Sequence, residues 1–166
     1  MIVTVEATNI GDSALPFGYA AHPYLTVGEV TVDDVEVQVP ASSYLKVDQR
    51  LLPVSLVPVD GTDNDLRSGP TLGSRTLNVA MTNLARDSDG HWHASVTLRE
   101  RRTELWDDQS MRWVQVFTGG PYRDWSVAVE PMTCGPDAFN AGPTHDGMLV
   151  LAPGEVFNGS WGISGR

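Results

Sequence analysis

Hydrophobic and polar positions along most of this chain alternate with a period of two. In Ile2 to Thr8, Val3, Val5 and Ala7 fall on one face and Thr4, Glu6 and Thr8 on the other, which predicts a strand beginning at the first residues. Trp92 to Leu98, Met111 to Thr118 and Trp125 to Glu130 read as three further strands, rich in β-branched and aromatic residues and separated by charged or Gly/Pro-rich connectors. From Val30 to Val39 the valines alternate, but Asp33-Asp34 shifts their phase, predicting two short strands joined at a turn or bulge. Asn78 to Leu84 has room for one helical turn. Gly147 to Ala152 and Glu155 to Ile163 are two short apolar runs divided by Pro153-Gly154. No stretch of about three helical turns keeps a 3.6-residue period, and roughly eight or more strands are separated by turn signals. The fold class this predicts is all-β, a mostly antiparallel β-sandwich or part of a larger one.

Residues 60 to 74 are the least periodic and most turn-rich stretch, read as a long loop holding Asp63 and Asp65. The strands on its two sides look alike, so it does not divide the chain. With 166 residues and 41% hydrophobic content the chain is long enough for one sizeable core. Residues 1–166 are therefore expected to form a single β-sandwich domain.

A formal net charge of −10 disfavours nucleic acid and anionic membrane surfaces, which are bound mainly through Lys and Arg. Lys46 is the sole lysine, so there is no lysine-rich targeting or polyphosphate-binding patch. The single Cys134 rules out an internal disulfide and a Cys-based metal framework. No signal peptide or membrane-length apolar run is read, and a reducing cytoplasm is the expected compartment.

The chemistry-bearing candidates are few. Glu130 follows the apolar run Ser-Val-Ala-Val and precedes Pro131, which has no amide hydrogen and is read as the place where sheet pairing stops or meets an edge. A carboxylate at such a strand end suits proton transfer; the alternative is a solvated terminal charge. His22 lies in an aromatic and proline-rich span, and Pro23 biases it to extended backbone. A packed structural histidine is its alternative. His91-x-His93 places two imidazoles on one strand face, but beside Asp87-Ser88-Asp89-Gly90 an exposed hairpin end is favoured over a zinc site. Arg99 to Arg102 reads as a solvated turn. There is no Gly-x-Ser-x-Gly elbow, P-loop or Gly-x-Gly-x-x-Gly fingerprint.

Three motifs occur in an order that resembles the aldose 1-epimerase (galactose mutarotase-like) family. Asn-x-Gly-Asp, Pro-Phe-Gly-Tyr and His-Pro-Tyr between Asn9 and Leu25 resemble the family's catalytic-histidine segment. Glu-Pro-Met-Thr followed by Pro-Asp-Ala-Phe-Asn resembles its catalytic-glutamate segment, and Leu-Val-Leu-Ala-Pro-Gly-Glu with Trp161 resembles its C-terminal strands. Asp48-Gln-Arg-Leu-Leu-Pro and Gly61-Thr-Asp-Asn-Asp-Leu-Arg resemble the middle region, so the likeness spans nearly the whole chain.

The resemblance implies a galactose mutarotase-like supersandwich and mutarotation of a hexose or hexose phosphate, without metal or organic cofactor. On it Glu130 matches the base and His22 the acid, with Asn78 and Tyr24 as sugar contacts. The chain departs from the pattern in having Leu77-Asn78 where the family commonly has a Leu-Asp pair, which substitutes a neutral amide for a carboxylate. Family members are nearly twice this length, and their N-terminal half supplies an arginine and a second histidine without counterpart before His22. The expectation is a chain corresponding to the C-terminal half of an epimerase, with open strand edges through which copies could associate. Two alternatives stand beside the enzyme: a non-catalytic carbohydrate-binding sandwich in which Tyr24, Phe117 and Tyr122 stack on sugars, and an inactive fragment.

Overall fold

A computed structural model of the chain describes residues 1–119 and 125–166. The proposed stacking residue Tyr122 lies outside the described residues. The architecture is all-β: two antiparallel sheets packed face to face, with a small two-stranded ribbon beside them. The five-stranded sheet has the order β1 (Ile2–Thr8), β13 (Val156–Gly165), β9 (Arg101–Asp107), β8 (Trp92–Leu98), β4 (Glu36–Gln38). The six-stranded sheet runs β3 (Tyr24–Leu25), β11 (Val127–Met132), β10 (Trp113–Phe117), β7 (Asn78–Leu84), β5 (Ala41–Val47), β6 (Pro53–Pro58). The ribbon pairs β12 (Leu149–Leu151) with β2 (Leu15–Phe17).

The core lies between the two sheets and is fed by alternate residues of each strand. Val37, Ala94, Val96, Leu105 and Trp161 come from one sheet; Val79, Met81, Val114, Val116, Val127 and Val129 come from the other. The intervening residues of β7, β10 and β11 are left on the outer face of the six-stranded sheet. There Leu45, Ala80, Trp113 and Met132 form a second, smaller buried cluster. The period-two pattern therefore builds a sheet with a core on one side and a half-buried, chemically mixed surface on the other.

Three local expectations are corrected. Asn78 to Leu84 is a strand, not a helical turn, because Val79 and Met81 are drawn into the core while β5 and β10 pair on both sides. Val30 to Val39 holds one short strand preceded by a 3₁₀ turn at Val32–Asp34, whose start is capped by the Thr31 side chain accepting from the Asp33 amide. Glu130 is inside β11 and not at its end, since pairing with β10 continues through Pro131 and Met132. Proline is tolerated here because alternate residues of β11 turn their amides to opposite sides. Those of Val129 and Thr133 reach Pro23 and Tyr19, so the amide Pro131 lacks belongs to the irregular Tyr19-to-Leu25 side and not to β10.

The loop over residues 60 to 74 is firmly tied down. Leu66 and Leu72 are fully buried, and the Val37 and Val39 amides donate to the Pro70 and Leu66 carbonyls while the Leu72 amide donates to the Val35 carbonyl, joining the loop to β4 and its two flanks. It closes that edge of the five-stranded sheet, a structural task.

Candidate active site

The segment before β3 runs antiparallel to β11. Ala20 bridges Met132, and Tyr24 and Leu25 pair with Ala128 and Val127, a register that sets His22 directly opposite Glu130. Bonds from the Ala21 amide to the Pro131 carbonyl and from the Val129 amide to the Pro23 carbonyl clamp the backbone on both sides of His22. The extended geometry imposed by Pro23 suits this pairing. His22 Nε2 lies 3.2 Å from Glu130 Oε1, with the histidine side chain 53% exposed and the glutamate 13%. Tyr24 stacks on the imidazole at 4.9 Å between ring centroids.

Continuing the register across the sheet, Gln115 faces Glu130 on one side and Ala80 on the other, and Leu45 follows on β5. One row thus carries imidazole, carboxylate, amide, a small residue and an apolar residue. In the next row Asn78 faces Phe117, which faces Ala128, which faces Tyr24. Gln115 Nε2 donates to Asn78 Oδ1 at 2.7 Å, linking the two rows. His22, Glu130, Gln115, Ala80, Asn78 and Phe117 line a cleft of about 470 Å³, with Leu45, Val47 and Leu51 on the β5 side and Met132 and Pro136 completing its wall. Its mix of apolar walls and a few convergent polar groups is that of a small-molecule site.

Burial pushes the Glu130 carboxyl above the ordinary glutamate range, and the facing His22 opposes that shift. A carboxylate whose pKa is raised by burial holds a proton more firmly once it has taken one, which suits a general base.

Of the sequence candidates, His22, Glu130, Asn78 and Phe117 meet at this cleft, and Tyr24 joins it by stacking on His22. Gln115 was not singled out in the sequence. Its signal was a lone polar residue between the buried Val114 and Val116, on the face shared by Trp113 and Phe117.

The other histidine motif lies elsewhere. His93 on β8 is held between Glu104 (Nδ1, 3.1 Å) and Asp87 (Nε2, 2.9 Å), while His91 packs against Trp106. The hydrogen bond from His93 lowers the Asp87 carboxyl below its ordinary range. At Glu104 burial pushes upward, but bonds from Arg102 and His93 outweigh it. Among the described residues, no group of His, Cys, Asp and Glu has the arrangement of a metal site. No helix among them is long and apolar enough to cross a membrane.

A sequence profile of the aldose 1-epimerase family matches residues 1–164. An uncharacterised protein of Escherichia coli K12, YihR, is 30% identical over 164 residues, covering 99% of this chain and 51% of that protein. A galactose mutarotase-like protein from Clostridium acetobutylicum superposes with a TM-score of 0.85 at 15% identity, over 99% of this chain and 52% of its own. The GalM/aldose epimerase homologue from Caenorhabditis elegans gives 0.76 at 17% identity, covering 98% and 55%. Galactose 1-epimerase from Lactobacillus acidophilus gives 0.73 at 19%, covering 99% and 53%. At these identities the structures speak for the fold. The chain spans about half the length of the relatives it matches.

Proposed function

The chain belongs to the aldose 1-epimerase family, and from that premise we propose that its cleft interconverts the α and β anomers of a hexose. The observation that carries this reading is the 3.2 Å approach of His22 to Glu130 on the cleft floor. The two oxygens that must exchange protons in mutarotation, the anomeric hydroxyl and the ring oxygen, are bonded to one carbon. An acid and a base that nearly touch each other can serve both.

In the proposed reaction the Glu130 carboxylate takes the proton from the anomeric hydroxyl while protonated His22 delivers one to the ring oxygen. The bond between the anomeric carbon and the ring oxygen breaks, its electron pair going to the ring oxygen, and an open-chain aldehyde forms. Rotation of the aldehyde exposes its other face. The ring hydroxyl then adds to the carbonyl, with His22 recovering its proton from that hydroxyl and Glu130 returning its own to the carbonyl oxygen. Charges and protons balance over the cycle. Asn78 and Gln115, fixed by their mutual hydrogen bond, offer remaining amide donors and acceptors to ring hydroxyls. Tyr24 holds the imidazole plane and lies beside the sugar. The test is the rate of α-to-β conversion of fresh glucose or galactose, with and without Glu130.

A second reading has one observation in its favour, the half-length match to relatives. If the other half of those proteins supplies indispensable sugar contacts, this chain alone is a carbohydrate-binding sandwich or an inactive fragment. In either reading we take residues 1–166 as one β-sandwich domain whose exposed edges, β1 and β6, are available to another chain or another copy.

A further inference from the structure

Leu51, in the turn between β5 and β6, is placed at some cost and gains little from the fold. Its φ is +63°, in the left-handed region that favours glycine and disfavours a branched side chain with a Cβ. Of the other non-glycine residues with positive φ among the described residues, Asn83 and Asp137 are of the types that tolerate it, and Arg99 sits in the β8–β9 turn. Leu51 is the apolar member of the set. Packing does not repay the strain, because the residue is 60% exposed.

The turn itself is tightly determined. Asp48 Oδ1 accepts from the Arg50 and Leu52 amides at 2.8 and 2.9 Å. The Leu51 amide donates to the Asp48 carbonyl, and the Asp48 amide to the Leu52 carbonyl. This network fixes the Leu51 backbone, and the side chain lines the same cleft as His22 and Glu130, from the β5 side. An exposed leucine on strained backbone, held by four hydrogen bonds and aimed at a cleft, is the pattern expected where strain serves a site.

We propose that Leu51 is an apolar substrate-binding residue of the sugar site. Its side chain closes the β5 side of the cleft and packs against the carbon-bound hydrogens of the bound sugar, with Leu45 and Val47 beneath it. This rests on the cleft being a sugar site, but not on Glu130 and His22 being its acid and base.

Substitution by glycine separates a binding role from a folding role, because it removes the side chain and relieves the backbone together. Leu51→Gly is expected to raise the KM for mutarotation of D-glucose or D-galactose by about fivefold or more, with kcat changed less and the melting temperature unchanged or higher. Leu51→Met, which restores an apolar side chain, is expected to recover most of the affinity. An unchanged KM in the glycine variant overturns the proposal, as does a fall in affinity matched by a fall in melting temperature. If the wild-type chain binds these sugars by NMR titration but shows no mutarotation, the acid–base reading fails. The same comparison made on Kd then decides the role of Leu51.

Discussion

His22 and Glu130 are direct cross-strand partners: the register that pairs Ala20 with Met132 and Tyr24 with Ala128 leaves them opposite one another, 3.2 Å apart at their side-chain tips. The acid and base of the proposed reaction are thus positioned by backbone pairing, with the bonds at Ala21 and Pro23 holding the histidine in place.

Glu130→Gln keeps the shape and removes the base. We expect the α-to-β rate, followed by polarimetry in a buffer where spontaneous conversion is slow, to fall by about 10²-fold or more. The carboxylate is the working form and burial raises its pKa, so wild-type activity should rise with pH through a limb lying above the ordinary glutamate range. A folded, active Gln variant with an unaltered rate would remove Glu130 from the mechanism.

His22→Asn retains hydrogen bonding but cannot protonate a ring oxygen near neutral pH. Because the side chain is half exposed, the melting temperature should move by only a few degrees while activity falls about 10²-fold. The reverse outcome, lost stability with activity per folded molecule intact, would assign His22 to packing.

Asp107, at the end of β9, is fully buried, and among the described residues no well-formed hydrogen bond reaches either carboxyl oxygen; the nearby backbone amides of Asp108 and Met111 only partly offset its burial. Burial first, and the neighbouring Asp108 second, push its pKa to about 9, against the opposing charge of Arg86. Between its unfolded value near 3.8 and about 9 the folded state holds a proton that the unfolded state has released. Stability must therefore decline as pH rises through that window. Asp107→Asn should flatten the decline and raise stability at pH 8 by about 1–3 kcal/mol. Chemical denaturation across pH 5 to 9 measures it, and parallel curves for the two proteins would contradict the assignment.

Among the described residues the edge strand β6 pairs only with β5, and Val54 and Leu56 are exposed along it. Such an edge is a template for pairing, and Lys46 is the chain's sole lysine to discourage it. Concentration-dependent light scattering should reveal association, and Val54→Lys should weaken it about tenfold or more. A chain that stays monomeric at high concentration would show that this edge is not used.

The sequence by itself determined the strands, their faces and the kinds of residue at the site. The alternation around Val127 and Val129 or Val114 and Val116 is local, and burying one face of each strand is enough to dictate it. The motifs around His22 and Glu130 pointed to a family and to an acid–base pair. What only the tertiary structure decided was adjacency. That His22 faces Glu130, that Gln115 stands next to both Glu130 and Asn78, and that Pro131 belongs inside a strand all depend on the register between segments remote in sequence. Leu66 and Leu72, read as loop, became core because a neighbouring edge needed covering. Asn78, open to a helical turn, became strand because its neighbours on β5 and β10 supplied the hydrogen bonds. A period of two tells each strand which face to bury. Which strand lies beside it is set by contacts between distant segments, and those contacts place the polar residues of the outer face into one cleft.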